Sequence, residues 1–572
     1  MSDKLVYDLS QELEGSPSVF VKKDWLNILD NQNGSYSSNQ SVIDTSQLSN
    51  SNKYMSYREA YLLMPLLITV GTSAPAAANQ FLPAAAATSA DYAVGLKNWY
   101  GSMIHSLTLD YNGTTIIQQT PFCNMWNSFK LMTSLSLEDV NTQGSTIGFY
   151  PDSPDTWAFF TAAGASGIGV CNNTNYRATG LGITVSGAFN AYRATQGNVG
   201  FLQRQTFINF DTGATIGTTT YEASVLTASA ASQLYQSYVL TKISQTAAVN
   251  GVLQIAVNAQ IYLKHIHSFF MMTPLLKGVF MKLTLNLNNT TTIFTTAANV
   301  LTLSSVSNAV GGVNPLMLAS AVANNGAVGV YGTNTMRANV SVGGVCLDSI
   351  LASTAGVASS PYRNIYLYVP AYTFTPVFEQ AYLSSPIKSI KYTDIYQYQI
   401  TNIPASSGSI NNLLTNGLTA IKSVLVLPFY SATTGNVLPC PEYQSPFDPA
   451  GTGTTAPMVQ LTNFNIVVSG QNMLYNTQRY SFEQFANQLY GAGAVNGGMT
   501  DGLTSGLIDF AAFKQCYCYH YVDVSRMLPV EESVPKSVQI IGTNTSFKAI
   551  DLLCFIEYGV DISVDILTGS RV

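Results

Sequence analysis

The stretch from Ile255 to Asn288, IAVNAQIYLKHIHSFFMMTPLLKGVFMKLTLNLN, constrains the fold more than any other. Ile255, Val257, Ala259 and Ile261 alternate with smaller or polar residues, the period of a half-buried strand. His265 to Met272 is compact and aromatic, and Thr273-Pro274 stops it, because proline disfavours helix in the residue before it. From Val279 to Asn288 the chain alternates again, with Met281, Leu283, Leu285 and Leu287 on one face and Lys282, Thr284, Asn286 and Asn288 on the other. Asn288-Asn289-Thr290 closes that strand. Strand, short helical turn and long strand make the closing half of a β-barrel, and none of the few charged residues is paired for chemistry.

At 572 residues the chain is too long for one ordinary core, so at least two domains are expected. Charged residues are only 10% of it, against about 25% in an average soluble protein. Ser, Thr, Asn, Gln and Tyr replace the missing charge, which leaves a surface poorly defended against association. Such a surface is either covered by other subunits or resembles the polar, Tyr-rich face of many extracellular β-proteins. The net charge of −6 and the lack of any basic run argue against a nucleic acid as main partner. The 33 tyrosines, with abundant Thr and Val, favour strands.

The seven cysteines (Cys123, Cys171, Cys346, Cys440, Cys516, Cys518 and Cys554) are odd in number and scattered, which reads as reduced thiols in an intracellular product. MSDKLVYDLSQELEG is not a signal peptide. The uncharged run Tyr61 to Ala90 is broken by Pro65, Pro75 and Pro83, so it reads as a buried strand, Leu62 to Val70, followed by an Ala/Pro loop.

Residues 1–53 read as an N-terminal arm. Asn31 to Asn52 is nearly all Ser, Asn, Gln and Thr, which cannot bury enough surface to fold alone. Phe20, Val21, Trp25, Leu26 and Ile28 are apolar islands that could dock on a preformed surface by strand addition, and they are the candidate assembly residues. The arm's mildly acidic balance makes genome binding the weaker role. From residue 54 the pattern is a barrel: a strand at Tyr61 to Val70, then two strands, Met103 to Tyr111 and Thr114 to Gln119, joined by the hairpin signal Asn112-Gly113. Phe122, Met125, Trp126, Phe129 and Met132 place an amphipathic helix over Pro121 to Ser134. Gly144 to Asn198 reads as a loop excursion with a short strand at Ile183 to Val185, and Phe201 to Phe210 and Tyr221 to Leu240 as strand material.

Residues 299–335 read as a connector, after which the pattern repeats. Ile365 to Phe374 mirrors Tyr61 to Val70, Ile387 to Ile400 mirrors Ile104 to Ile117, and Ile410 to Ile421 mirrors the helix. Ser481 to Tyr490 reads as a short helix and Ala549 to Ile566 as the closing strand. This is a tandem duplication, with barrels at 54–298 and 336–572.

Three long blocks carry a family likeness: KNWYGSMIHSLTLDYNGTTIIQQTPFCNMWNSFKLMTS from Lys97, YLKHIHSFFMMTPLLKGVFMKLTLNLN from Tyr262, and PYRNIYLYVPAYTFTPVFEQAYLSSPIKSIKYTDIYQYQI from Pro361. In their length and order they resemble the major capsid proteins of polinton-like viruses, relatives of the virophages. The resemblance implies an all-β fold of two tandem eight-stranded antiparallel jelly rolls, the double jelly roll shared with adenovirus hexon. It also implies strands standing across a shell and homotrimers as building units. The partners it implies are neighbouring capsomers, penton proteins and minor or cement capsid proteins, with membrane contact left open. The expected location is the virion, the protein being made in the infected cell and not secreted.

No residue pattern calls for an enzyme, a metal or a cofactor. Asp211-Thr212-Gly213 has the form of an aspartic-protease loop, but no second such triplet exists, so it reads as a turn. Cys516, Cys518 and His520 share one face of a strand without the ligand spacing of a metal site. His265 and His267 have no carboxylate within fifteen residues in either direction and read as polar tips at a barrel mouth. Gly326 to Gly332 lacks the residues of a phosphate loop. The expectation is therefore a structural capsid protein, with a carbohydrate-binding or adhesive β-sandwich protein as the alternative and a β-sandwich hydrolase last.

Overall fold

The structure is a computed structural model. It describes residues 19–49, 51–72, 90–152, 170–171, 200, 204, 206–210, 243–249, 252–297, 300–322, 334–355, 363–432, 440–446, 459, 461–475, 479–496, 507–515, 517–525, 533–546, 548–566 and 568–571. Sixteen strands form two sandwiches of one topology. In the first they are β1 (Phe20–Leu29), β2 (Gln40–Asp44), β3 (Tyr61–Thr72), β4 (Ile104–Tyr111), β5 (Thr114–Ile117), β6 (Val252–Tyr262), β7 (Met281–Leu287) and β8 (Tyr366–Phe374). In the second they are β9 (Ile387–Ile403), β10 (Gly408–Leu418), β11 (Ile421–Tyr430), β12 (Leu461–Val468), β13 (Gln471–Asn472), β14 (His520–Asp523), β15 (Lys536–Asn544) and β16 (Ile550–Asp565).

The sheets of the first sandwich run β1-β8-β3-β6 and β2-β7-β4-β5; those of the second run β9-β16-β11-β14 and β10-β15-β12-β13. Adding eight to each label of the first order gives the second. This antiparallel order is the jelly roll. Each sandwich has a core-facing alternation: Met281, Leu283, Leu285 and Leu287 of β7 are buried in the first, as are Val538 and Ile540 of β15 in the second. Strand Ile550–Asp565 is buried on both faces over its first half, Ile550 to Glu557, which is why Leu552 to Ile556 read as a continuous apolar run.

Further strands in the connections extend the first sandwich. Asn334–Val342 pairs with the far half of β3, Thr290–Ala297 with Asn334–Val342, and Val300–Asn308 with Thr290–Ala297. Leu316–Val322, Ala90–Leu96 and Thr206–Phe210 make a small separate sheet. In each sandwich the long connections leave one end. In the first these are residues 73–103, 118–251 and 288–365; in the second, 431–460 and 473–519. At the opposite end the β4–β5 and β12–β13 turns are two residues each. Asn112-Gly113 has φ of 46° and 82°, and Ser469-Gly470 has 48° and 83°, the positive pair a tight hairpin turn needs.

Several expectations are corrected. Residues 1–53 are not a separate arm from Val19 onward, since β1 and β2 are integral barrel strands and β1 pairs with β8 from Phe20 to Leu29. The polar composition of 31–52 misleads because those residues rest on a partner sheet supplied from far along the chain. The boundary at 298 and the connector at 299–335 also fail, because Val300–Asn308 and Leu316–Val322 are paired strands and the first sandwich closes only at Phe374. Ile365 to Phe374 resembles Tyr61 to Val70 because the two are neighbours in one sheet, Tyr366 facing Leu63 and Tyr368 facing Tyr61. The counterpart of Ile387 to Ile400 is β1, not Ile104 to Ile117.

Ile410 to Ile421 is strand, not helix: Ile410 and Leu414 are buried and Leu413 exposed. A four-residue spacing satisfies both periods, and bulges around Thr415 disturb the alternation further on. The other helix stands at Cys123–Ser134 (α1), followed by Leu137–Ile147 (α2), which is held by a capping box between Ser136 and Asp139. His265 to Met272 splits into Leu263–Ile266 (α3) and Ser268–Met272 (α4). Further helices are Ser349–Ala355 (α5), Pro376–Leu383 (α6), which links the sandwiches, Phe482–Asn496 (α7) and Phe510–Gln515 (α8), with a single turn at Ser46–Ser49. Ile183 to Val185 and Tyr221 to Leu240 lie outside the described residues.

Candidate functional site

The most informative surfaces are the outer faces of the two equivalent sheets. In the second sandwich, sheet β9-β16-β11-β14 is covered by α1 of the first. Phe129, fully buried, sets its ring 5.0 Å from Tyr519 and 5.5 Å from Tyr521. Trp126 lies 6.1 Å from Phe555. Lys130 stacks over Trp126 and pairs with Glu557 at 3.1 Å. Burial opposes ionisation of Glu557, but the charge of Lys130 and hydrogen bonds from Ser423 and Lys130 outweigh it and hold the carboxyl below its ordinary value. The helix is there because Phe122, Met125, Trp126, Phe129 and Met132 recur at helical spacing and all find apolar cover.

Among the described residues, the equivalent sheet of the first sandwich, β1-β8-β3-β6, carries a helix only over part of its outer face. There Leu351 of α5 packs with Leu67, Ala256 and Cys346. The rest presents an aromatic band. Trp25, half exposed, meets Tyr61 at 5.5 Å; Tyr61 stacks on Tyr368 at 5.1 Å and meets Tyr262 edge-on at 5.7 Å. Tyr366 adjoins Tyr368, Lys23 lies over Trp25 and Tyr372, and Lys264 over Tyr262.

The five candidate assembly residues all lie on β1, but they do not form one patch. Ile28 is buried in the core and Leu26 packs against it, whereas Phe20, Val21 and Trp25 are exposed. Sequence reasoning missed the tyrosines beside them. The signal was present in the alternation Tyr366, Tyr368 and, past Pro370, Tyr372, which turns every ring to the face opposite Leu367, Val369 and Ala371.

The seam also holds a cleft of about 420 Å³. His267 lies on its wall. Its Nδ1 accepts from the Phe269 amide at 3.1 Å, so Nε2 carries the proton of the neutral ring and donates to Asp394, 3.2 Å away. Asp394 also accepts from the Ile395 amide and the Tyr558 hydroxyl. Beside it, Ser268 donates to the Thr393 carbonyl and accepts from the Thr393 amide. His265 and His267 thus differ: His267 ties the sandwiches together, whereas burial, with Lys264 adding, pushes His265 down to about 4.

Burial likewise pushes His520 down to about 3; its Nε2 accepts from the Leu461 amide in the core. Cys518 is buried beside it, while Cys516 and Asp211-Thr212-Gly213 lie outside the described residues. Among the described residues no three His, Cys, Asp or Glu side chains come together to hold a metal. Cys123, Cys346, Cys440, Cys518 and Cys554 are buried free thiols.

No family model matches the chain, and no curated protein matches it. Among solved structures it is similar to a chain of the Sputnik virophage, at 11% identity and a TM-score of 0.45, over 98% of this chain and 89% of that one. It is also similar to the mavirus major capsid protein, at 10% identity and a TM-score of 0.42, over 100% and 94% of the two chains. A third is the Faustovirus major capsid protein, at 10% identity and a TM-score of 0.41, over 96% and 91%.

Proposed function

We propose that the chain is the major capsid protein of an icosahedral DNA-virus shell, three copies forming a pseudo-hexameric capsomer. The observation that carries this reading is the pairing of one helix-covered face with one that the described residues cover only in part, on two sandwiches of identical strand order. Within a chain, the helix in the β5–β6 connection covers the second sandwich. The equivalent connection, β13–β14, holds α7 and α8, where Phe510 and the nearby Tyr475 stay exposed. Placed over the aromatic band of the next copy, those helices would repeat the seam between chains. Three such head-to-tail contacts close a ring of six sandwiches, and a closed ring of this kind tiles a near-hexagonal lattice. The low charge of the surface and the resemblance of the three sequence blocks support the same reading.

On this reading Phe20 and Val21, on the outermost strand of the sheet among the described residues, face neighbouring capsomers or minor capsid proteins, and the protein resides in the virion. The test is the mass in solution by light scattering. A stable particle of three times 61.5 kDa is expected, and a monomer at micromolar concentration sinks the proposal. One observation favours a second reading: a band of Trp25, Tyr61, Tyr368 and Tyr262 also suits the flat face of a sugar, and saturable glycan binding by a monomer would support that instead.

A further inference from the structure

The cleft in the seam is a built cavity with an uneven charge. Its walls come from both sandwiches: Leu107, Leu131 and Leu135 with Ile266 on one side, Ile395 and Glu557 on the other. Its two acids are engaged, Asp394 by His267 and Glu557 by Lys130. Two cations on the same walls are not. Arg58 is exposed and makes no ion pair among the described residues, and Lys264 has only the ring of Tyr262 beneath it and the field of Asp139. The Asp139 carboxylate is already bound to the Ser136 amide and hydroxyl as a helix cap. With the imidazoles neutral, three cations (Arg58, Lys130, Lys264) face two carboxylates, a surplus of one positive charge over a largely apolar floor. A cavity near 420 Å³ falls in the range that holds small ligands.

We propose that this cleft binds an amphipathic anion, a carboxylate- or phosphate-headed alkyl chain whose head meets Arg58 and Lys264 and whose tail lies against Leu131, Leu135 and Ile266. Opposite charge at the rim and apolar surface below select this class over a sugar, which would need more fixed donors and acceptors, and over a cation. The residues that hold the head and the tail all belong to the first sandwich, with Ile395 and Glu557 of the second closing the cleft opposite, so the ligand is bound by the folded chain alone, whatever its oligomeric state.

The experiment uses the full-length protein with dodecanoate, dodecyl phosphate and dodecyltrimethylammonium, below their micellar concentrations. Native mass spectrometry reads stoichiometry and thermal melting reads stabilisation. One anion per chain and a saturable rise in Tm of about 2 °C or more are expected, with no rise from the cation. A higher affinity for the phosphate than for the carboxylate would mark a lipid headgroup, and the reverse a fatty acid. Arg58→Gln with Lys264→Gln should weaken binding about tenfold or more. Met271→Trp and Ser134→Trp, both at exposed positions on the cleft, should block it while the protein stays folded. Equal shifts from anion and cation, retained binding in the tryptophan variants, or no saturable binding of either anion would overturn the proposal. So would a protein segment found in the cleft in assembled particles.

Discussion

The outer face of sheet β9-β16-β11-β14 and the outer face of sheet β1-β8-β3-β6 are the same surface on two copies of one fold, yet among the described residues one is roofed by α1 and the other carries only α5 over part of its area. The roofed face shows Phe555, Tyr519 and Tyr521 under α1; the other shows an exposed Trp25 beside the half-buried rings of Tyr61, Tyr262 and Tyr368. Aromatic side chains bury large area and favour edge and offset contacts, so both faces have the chemistry of an interface. The difference lies in where the covering helix comes from: for the second sandwich it arrives from the first sandwich of the same chain, and for the first, on the proposed reading, it comes from another copy.

Removing the roof should have the largest effect. Phe129→Ala empties a fully enclosed site and should destabilise the chain by about 3–5 kcal/mol in denaturant titration. The matching change on the partly covered face, Tyr61→Ala with Trp25→Ala, should leave chain stability within about 1–2 kcal/mol while raising the trimer dissociation constant by a factor of about 100 or more. If both variants behave alike, whether by unfolding or by staying trimeric, the two faces are not the surfaces described above.

The next effect is electrostatic and belongs to the roofed face alone. The Glu557 carboxyl sits below its ordinary value of 4.5, so its stabilising contribution is present at neutral pH and is lost as pH falls through the lower, folded value. Lys130→Met removes the charge that holds it down. Stability at pH 7 should fall by about 2 kcal/mol, and acid unfolding should then be less steep below pH 4.5, because the carboxyl no longer binds its proton more weakly in the folded state. An unchanged acid profile in the variant would remove Lys130 from the account.

The smallest effects test the equivalence itself. Gly113 and Gly470 sit at φ of 82° and 83°, and a Cβ at either would meet nothing within 4 Å. Gly113→Ala and Gly470→Ala should therefore each cost only the backbone term, about 1 kcal/mol, and equally. Ser469→Asn, which copies Asn112 into the second turn, should stabilise by a few tenths of a kcal/mol in the same titration.

These two turns also show what could be read in advance. Asn112-Gly113 announces its hairpin, because both residues tolerate positive φ; Ser469-Gly470 makes the same turn with a first residue that does not advertise it. The helix at Cys123–Ser134 and the strands from Val252 to Leu287 were legible because their periods are local. Pairings across long separations were not. β1 finds β8 some 340 residues on, and nothing in Phe20 to Leu29 says that its partner begins at Tyr366. The same limit hid the partner of His267: a search of the adjoining sequence finds no carboxylate, while the fold brings Asp394 from the other sandwich to 3.2 Å. The assembly residues were half legible, since apolar content picked out Trp25 but could not separate it from Ile28, which points into the core.

The most direct test of the central claim, that two equivalent sandwiches per chain build a six-lobed ring from three copies, is electron-microscopic class averaging of the purified assembly viewed down its symmetry axis. Six lobes of alternating outline with three-fold symmetry are the predicted result. Three lobes, or an isolated two-lobed particle at concentrations where the assembly should be stable, would contradict it.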